Sequence, residues 1–401
     1  METVVSKSPS TRLRKSSGEV RPIKLAEVAA NLTIRISTGI SELDTVLGGG
    51  IVPGMAVLLS GEPGIGKSTL LLELADMSKM SSIVLYVAGE ESASQIKIRA
   101  SRLNVKAENL LVLEDTNVDN VVRLIEQESK SISLIIADSI QTLTTEDLAG
   151  VAGSVGQVRE CAARLISTTK NFGIPLFLVG HVTKDGTIAG PKVLEHIVDT
   201  VLNFEGDKYS NLRLLRTSKN RFGPTDEVGL FEMGDAGLKE IKNYQGFTVD
   251  GAKSAPGSCL TVTMEGTRPM LAEIQALVTD TPIPNPRRVA RGVDYNRLLT
   301  IVAILQKRLN LPLYKEDVYV NVSGGLNISE PAADLAMALA ILSSYRDKTL
   351  PAGTVALGEL DLLGTIRKIN SLERRVKEAK KLGFKNILTS ENLTTISNFQ
   401  F

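Results

Sequence analysis

The sequence predicts an α/β fold in which a mostly parallel sheet lies between helices, followed by a second domain of α+β type. From about residue 35 to 235, short apolar runs alternate with amphipathic segments of helical length, the pattern of parallel strands covered on both faces. A stretch rich in Gly, Pro and Ser interrupts this alternation. The sequence beyond it predicts a hairpin followed by helices. The expected units are a basic, disordered tail at 1–32, a first domain at 33–244, a linker at 245–257 and a second domain at 258–401.

The strands of the first domain are predicted from apolar runs of strand length. They lie at 54–60, 82–89, 109–114, 133–139 and 174–181. In the second domain, "SCLTVTMEGTRPMLAEIQALV" is typical of a hairpin, and helices are expected near 294–309, 331–344 and 371–383.

Composition limits the functional classes. The 401-residue chain has a net charge of +1, so nucleic acid would have to be held by local basic patches rather than by a global field. Cys161 and Cys259 belong to no CxxC pattern and suit a reducing cytoplasm. Neither a signal peptide nor an apolar run long enough for a membrane span is found, so a cytoplasmic location is expected. The tail at 1–32 either contacts nucleic acid or is a solvated leader.

The segment "GEPGIGKST" at 61–69 matches the phosphate-binding pattern G-x-x-x-x-G-K-[ST]. It follows an apolar strand and precedes a helical segment, as the pattern requires. Its backbone N–H groups are expected to surround the phosphates of ATP, with Lys67 at the β- and γ-phosphates and the Ser68 hydroxyl on Mg²⁺. The predicted nucleotide-binding residues are Gly61, Glu62, Pro63, Gly64, Ile65, Gly66, Lys67, Ser68 and Thr69.

Polar residues at other strand ends complete the expected site. Asp138 closes "LIIADS" and is the expected second partner of Mg²⁺. Glu90 in "YVAGEES" is the expected catalytic base, with Glu91 as the alternative, since one of the two carboxylates is instead expected to begin the next helix. His181 either senses the γ-phosphate or has only a packing role.

Two glycine-rich loops follow strand ends, at 144–157 and 182–192. They are either mobile loops that contact DNA, with Lys184 and Lys192 meeting phosphates, or ordinary surface loops. The segment "TSKNRFGPTDE" at 217–227 raises a separate question, because Lys219 and Arg221 are two residues apart on an extended segment and should point the same way.

The P-loop, "GEES", "IIADS", "GH" and "KNRFG", in this order, resemble the RadA family of bacterial RecA-related DNA repair proteins. The segments 317–344 and 357–384 resemble the Lon-protease-like domain of the same family. The resemblance implies a RecA-like P-loop ATPase core, stimulated by DNA, in a homo-hexameric ring that moves 5′ to 3′ along single strands. It further implies helicase activity and branch migration in recombinational DNA repair and the stress response, on single-stranded and branched DNA, with RecA recombinase as a partner.

The "KNRFG" motif comprises Lys219, Asn220, Arg221, Phe222 and Gly223. It fits the K-x-R-x-G pattern of ring helicases related to RecA, in which the cations act on the ATP of the neighbouring subunit. The alternative is that these cations contact DNA phosphates directly. On the first interpretation Lys219 and Arg221 are catalytic residues alongside Lys67 and Glu90.

The sequence departs from the family and from Lon proteases in two ways. The family opens with a four-cysteine zinc motif, whereas this chain has no cysteine before Cys161, so zinc is not expected. Ala332 and Glu373 occupy the positions of the Lon serine and lysine, so protease activity is not expected. A second class of function also stays open, a RecA-fold ATPase that regulates protein partners without moving on DNA.

A group of cations in the second domain has two interpretations. It comprises Lys307 and Arg308 together with Arg287, Arg288 and Arg291, and it would either bind DNA or be solvated surface charge.

Overall fold

The computed structural model describes residues 34–77, 82–106, 108–181, 190–206, 211–241, 255–281 and 285–401. The expected basic tail, most of the expected linker and Lys184 lie outside the described residues.

A nine-stranded sheet forms the first domain within the described ranges. Its strands are β1 (Ala56–Gly61), β2 (Ile83–Ala88), β3 (Leu110–Leu113), β4 (Ile132–Asp138), β5 (Leu176–His181), β6 (Thr200–Gly206), β7 (Leu212–Asn220), β8 (Val228–Gly234) and β9 (Gly237–Glu240). Their order is β3-β2-β4-β5-β1-β6-β7-β8-β9. The first six in this order are parallel, and β7, β8 and β9 extend the sheet in antiparallel fashion.

Helices cover both faces of this sheet. They are α1 (Ser41–Leu47), α2 (Lys67–Met77), α3 (Ala93–Arg102), α4 (Val118–Glu128) and α5 (Val155–Phe172). Successive residues of a strand face opposite sides, so in β1 Val57 and Leu59 pack in one core with α1, α2 and α3, whereas Ala56 and Leu58 pack in the other with α4 and α5. Burial on both faces is why the strands are continuous apolar runs in the sequence.

The second domain is built on a six-stranded sheet with order β12-β13-β11-β10-β14-β17 and a small ribbon of β15 and β16. The strands are β10 (Ser258–Glu265), β11 (Arg268–Asp280), β12 (Arg288–Arg291), β13 (Glu316–Val322), β14 (Val355–Ala356), β15 (Glu359–Leu360), β16 (Ile366–Arg367) and β17 (Ile387–Leu388). The helices are α6 (Tyr295–Leu309), α7 (Asp334–Arg346) and α8 (Leu372–Lys381). Because α7 is buried on nearly every side, it forms the centre of this core.

The turn between β10 and β11 fastens the second domain to the first. Arg268 donates to both carboxylate oxygens of the buried Glu42 on α1, at 2.8 and 3.1 Å. Gly266 has φ +60°, and a Cβ there would lie 1.9 Å from the carbonyl oxygen of Asp226, so the close approach requires glycine. Leu230 of β8 packs in the same apolar cluster as α7. The two domains therefore share a buried junction.

Candidate nucleotide site

The carboxyl ends of neighbouring parallel strands bring the predicted site residues to one edge of the first sheet. Gly61 at the end of β1 is in register with His181 at the end of β5, and Ala88 near the end of β2 is in register with Asp138 at the end of β4. A cavity of about 400 Å³ opens at this edge. It is lined by Lys67, Ser68, Glu90, Asp138 and His181, so residues from four separate segments of the sequence meet there.

The P-loop wraps the first turn of α2. Gly64 and Gly66 have φ of +77° and +119°, in the left-handed region that glycine enters without strain. The Lys67 ammonium lies inside the loop, where it donates to the carbonyl oxygens of Gly61 at 2.9 Å and Glu62 at 3.1 Å. Burial lowers the pKa of Lys67 to about 8, although the negative charge of Asp138 opposes this shift.

A hydroxyl and a carboxylate meet at the predicted magnesium position. The Ser68 hydroxyl donates to Asp138 Oδ2 at 2.6 Å, and the Tyr86 hydroxyl donates to the same oxygen at 2.5 Å. Ser68 and Asp138 fit a Mg²⁺ site because this ion takes one or two protein oxygens and keeps its other ligands from water and substrate phosphates. Tyr86 was missed from the sequence, since an aromatic residue within an apolar strand is usually only a core residue.

Glu90 and His181 form a polar pair beside the P-loop lysine. Glu90 accepts a hydrogen bond from the Ser139 hydroxyl, and its carboxylate lies 3.6 Å from His181 Nε2. His181 Nδ1 lies 3.1 Å from Lys67 Nζ. The His181 ring, with help from Ser139 and Lys67, lowers the pKa of Glu90 to about 2 against the opposing effect of burial. Glu90 is therefore ionised at neutral pH.

The alternative carboxylate, Glu91, is engaged elsewhere. It forms an ion pair with Arg99 of α3, although it also lines the cavity. Of the two adjacent carboxylates, Glu90 lies beside the lysine and histidine of the site and Glu91 is held by the helix that follows.

The "KNRFG" motif and the P-loop of the same chain lie at opposite ends of the parallel strands. In β6, Thr200 is in register with Val57 of β1 on one side and Asn220 of β7 on the other, whereas Gly61 is in register with Phe204. Four residues along a strand span about 13 Å. The motif therefore begins at the amino ends of the parallel strands, and neither of its cations lines the described cavity at their carboxyl ends.

Lys219 and Arg221 are not equivalent in the structure. The Lys219 ammonium donates to the carbonyl oxygens of Glu195 at 2.6 Å and Val198 at 2.8 Å. The Arg221 side chain is 54% exposed and makes an ion pair with Asp199 at 3.1 Å. Lys219 thus fastens the segment that leads into β6, and Arg221 presents most of its guanidinium to solvent.

The other residues of the motif stabilise the conformation of this turn. The Asn220 side chain accepts from the backbone N–H of Phe222 at 2.9 Å. A Cβ on Gly223 would lie 3.0 Å from the Cα of Gly48, so the small residue permits close contact with the end of α1.

The loop at 144–157 differs from a basic DNA-binding loop. It contains Glu146 and Asp147 and no lysine or arginine, while Leu148, Val151 and Val155 are exposed. Exposed apolar side chains suit contact with bases or protein better than contact with phosphates.

The predicted cations are dispersed. Lys192 lies in a short 3₁₀ turn before β6, while Lys307 and Arg308 lie in the last turn of α6 in the second domain. Arg308 and Arg288 both donate to backbone carbonyl oxygens, Arg308 to that of Leu362 and Arg288 to those of Leu313 and Glu316. Arg287 and Arg291 are exposed. Arg288 and Arg308 thus support loops of the second domain through these hydrogen bonds.

An ion pair between Arg375 and Glu330 lies near Ala332, the residue expected at the position of the Lon serine. Ala332 is buried, and Glu373 is exposed in the first turn of α8. Close to Ala332, Glu330 accepts from both terminal nitrogens of Arg375, at 2.7 and 2.6 Å, and Arg375 is only 2% exposed. Both terminal nitrogens of Arg375 and both carboxylate oxygens of Glu330 are therefore hydrogen-bonded within the domain.

No helix in the described ranges combines the length and the apolar character that crossing a bilayer requires. The expectation that the chain binds no zinc stays a prediction, since residues 1–33 lie outside the described part of the chain.

Comparison with known proteins matches both domains to characterised families. The family model described as "ATPase: KaiC" matches residues 36–242, and the one described as "ChlI: Subunit ChlI of Mg-chelatase" matches residues 299–392. A solved KaiC-like protein of Pyrococcus horikoshii OT3 is 22% identical and covers 52% of this chain and 99% of its own, with a TM-score of 0.44. The two family models confirm the predicted fold class, a RecA-like P-loop ATPase core followed by a Lon-like domain.

Relatives similar over nearly the whole chain carry one name. The DNA repair protein RadA of Streptococcus pneumoniae is 47% identical over 395 residues, which covers 98% of this chain and 94% of that protein. Those of Halalkalibacterium halodurans and Bacillus subtilis are 46% and 45% identical, covering 96% and 97% of this chain and 84% and 86% of their own lengths. The chain belongs to the RadA family of DNA repair proteins, with an ATPase domain of the RecA type.

Proposed function

We propose that this chain is a DNA-stimulated ATPase and helicase that acts as a hexameric ring in recombinational DNA repair. Its polymer substrates are single-stranded and branched DNA, along which it moves 5′ to 3′ and promotes branch migration, in the cytoplasm and with RecA recombinase as a protein partner. Membership of the RadA family supports the role in DNA repair, and the matched ATPase domain supports ATP hydrolysis.

Each residue of the nucleotide cavity has a role in the proposed hydrolysis. Lys67 neutralises charge on the β- and γ-phosphates, and Ser68 and Asp138 hold Mg²⁺. When bound, this ion supplies further charge neutralisation at the phosphates. Glu90 accepts a hydrogen bond from the attacking water and orients it, and His181, which lies between Glu90 and Lys67, senses the γ-phosphate.

The observation that carries the ring proposal is the position of the "KNRFG" motif. Its cations lie about 13 Å along the strands from the end that bears the P-loop, so they do not serve the cavity of their own chain. A head-to-tail ring instead brings the amino edge of one sheet to the carboxyl edge of the next. Arg221, with most of its guanidinium exposed, is then the cation supplied to the neighbour, and Lys219 holds the base of the motif.

The first test of the proposal is ATP hydrolysis with and without single-stranded DNA, titrated with salt. We expect stimulation by DNA, and an affinity for DNA whose log–log slope against salt is about −0.7 for each phosphate neutralised. Hydrolysis that does not respond to DNA would instead favour an ATPase that regulates protein partners.

The shared site is tested by mixing two inactive variants, Lys67→Ala and Arg221→Ala. Each alone is expected to be inactive, since every interface of its ring lacks one half of the site. In a random equal mixture about one quarter of the interfaces join an intact P-loop to an intact Arg221, so about one quarter of wild-type hydrolysis should return. Lys239→Ala, an exposed cation on β9, is the control and should hydrolyse ATP like wild type.

Subunit exchange must be shown in the same samples by energy transfer between labelled chains. If the chains exchange and hydrolysis does not recover at any ratio, Arg221 does not act on a neighbour's nucleotide. If Arg221→Ala alone keeps its basal hydrolysis and loses only the stimulation by DNA, the motif contacts DNA phosphates.

A further inference from the structure

A buried carboxylate lies among cations at the amino ends of the parallel strands. Asp199 comes directly before β6 and is only 2% exposed. Its Oδ1 accepts from Lys170 Nζ at 2.9 Å and from Arg221 Nη1 at 3.1 Å. Lys170 belongs to the last turn of α5, so three segments that are distant in the sequence meet at this carboxylate.

The sheet fixes the position of Asp199. Its backbone N–H donates to the carbonyl oxygen of Ala56 at 2.9 Å, and the backbone N–H of Ala56 donates to Asp199 Oδ2 at 3.1 Å. Ala56 is the first residue of β1, which is an interior strand of the sheet. Asp199 is therefore attached to a rigid element, with one carboxylate oxygen bonded to the sheet and the other to cations.

Arg221 is attached to Asp199 at two points. Its backbone N–H donates to the carbonyl oxygen of Asp199 at 3.1 Å, and its Nη1 donates to the carboxylate. A guanidinium carries several N–H donors in one rigid plane, so a bond through Nη1 leaves other donors for a second acceptor. Since the side chain is 54% exposed, these donors can be reached from outside the chain.

The surrounding charges make Asp199 decisive for the position of the guanidinium. Burial and the positive charges of Arg221 and Lys170 lower the pKa of Lys219, which shows that the three cations lie close enough to repel one another. The Asp199 carboxylate attracts Arg221, whereas Lys170 and Lys219 repel it. Without this carboxylate, the guanidinium would be driven from its present position.

We propose that Asp199 is a positioning residue for Arg221, which rests on the proposed action of Arg221 at the nucleotide of the neighbouring subunit. Asp199 holds Nη1 and the backbone of Arg221, and the remaining N–H groups of the guanidinium face the γ-phosphate across the interface. A charge that is already in place stabilises the transition state better than one that must be ordered during the reaction. Asp199 thus assists hydrolysis in the neighbouring chain.

The test begins with Asp199→Asn in the full chain. Asparagine keeps the size of the side chain and an oxygen for the N–H of Ala56, and it removes the charge that holds Arg221. We expect kcat to fall about tenfold and the KM for ATP to stay within about twofold, since Arg221 is needed in the transition state. ATP binding at wild-type affinity, measured by calorimetry, shows that the variant is folded.

Mixing Asp199→Asn with the inactive Lys67→Ala identifies the chain that Asp199 serves. In an equal mixture of exchanging subunits, about one quarter of the interfaces join an intact P-loop to an intact pair of Asp199 and Arg221. Hydrolysis should therefore rise to about threefold that of Asp199→Asn alone at the same total protein concentration. If Asp199 supported only the fold of its own chain, hydrolysis would instead fall to about half, and that result would overturn the proposal.

A second variant tests the proposal without altering Asp199. Arg221→Lys keeps the charge, but one ammonium cannot be held by Asp199 and reach a phosphate through separate nitrogens. We expect at least about a tenfold loss of kcat, to which Asp199→Asn should add less than about twofold, because both changes act through one side chain. Wild-type turnover of Arg221→Lys, or a further tenfold loss in the double variant, would contradict the positioning role.

Lys170→Ala is the matched control, since it removes the other cation at the carboxylate and leaves Arg221 paired. Its kcat should stay within about threefold of wild type. A loss as large as that of Asp199→Asn would assign the effect to the charge balance of the cluster and overturn the proposal.

The mixture of Lys67→Ala and Arg221→Ala reports on the proposed function separately. If that mixture recovers hydrolysis and the mixture with Asp199→Asn does not rise, only the positioning role is wrong. If neither mixture recovers although the chains exchange, Arg221 does not act on a neighbour's nucleotide and both proposals fail.

Discussion

Replacing Glu90 by glutamine is expected to separate ATP binding from ATP hydrolysis. Glutamine keeps the size of the side chain and an oxygen that accepts from Ser139, so the cavity should keep its shape. What disappears is the negative charge that orients the attacking water. We expect ATP affinity to stay within about threefold of wild type, or to increase, because a charge that repels the γ-phosphate is also removed.

The magnitude of the rate loss follows from the environment of Glu90. General-base contributions are typically 10²–10⁴-fold, and the largest require a pKa near the working pH. The His181 ring lowers the pKa of Glu90 to about 2, so this carboxylate is ionised but weakly basic, and it acts mainly by orienting water. We therefore expect kcat to fall by about 10²–10³-fold, in the lower half of that range.

The assay is steady-state ATP turnover in parallel with ATP binding, with Glu91→Gln as the matched control. Glu91 is held by Arg99, so its variant should lose less than about tenfold in kcat. Because the pKa of Glu90 is lowered and not raised, no acid limb due to Glu90 is expected between pH 5 and 8. If Glu91→Gln is the crippled variant and Glu90→Gln is not, the roles of the two carboxylates have been exchanged.

Three further predictions follow from named contacts. Lys67→Ala should abolish ATP hydrolysis, because its ammonium is the cation held inside the P-loop, and turnover at the wild-type rate would contradict this assignment. Purified protein should not cleave unfolded protein substrates with or without ATP, since Ala332 and Glu373 replace the serine and lysine, and cleavage that survives Lys67→Ala would disprove this. Burial raises the pKa of Glu73 to about 7, so its contribution to stability is fully present below its unfolded pKa near 4.5 and is lost as pH rises through 7. Glu73→Gln, which keeps an acceptor for Leu238, should therefore raise the free energy of unfolding at pH 8 by about 1 kcal/mol, after discounting for solvent screening, and change it little at pH 5, as denaturant titrations at both pH values would measure.

The overall architecture was predictable from the sequence because its signals are local. The five predicted strands of the first domain correspond to β1–β5 within two residues at each end, since strands buried on both faces are continuous apolar runs. The three helices predicted in the second domain correspond to α6, α7 and α8. Polar residues at strand ends, such as Asp138 and His181, were recognisable for the same reason, because each interrupts an apolar run where it ends.

Residues whose role depends on distant partners were not predictable. Tyr86 is part of an apolar strand in the sequence, and only the pairing of β2 with β4 brings its hydroxyl to Asp138. Asp199 interrupts an apolar segment of the sequence, and only the tertiary structure brings its carboxylate to Lys170 and Arg221.

The sequence by itself determined the succession of strands and helices, the P-loop and the acidic and histidine strand ends, because these follow from periodicity and from chemistry at adjacent positions. Only the tertiary structure decided where "KNRFG" lies relative to the P-loop, and that Lys219 is bound by carbonyl oxygens whereas Arg221 is exposed. The physical reason is that these relations depend on the order of strands in the sheet. That order is set by the packing of residues far apart in the chain, and local patterns do not encode it.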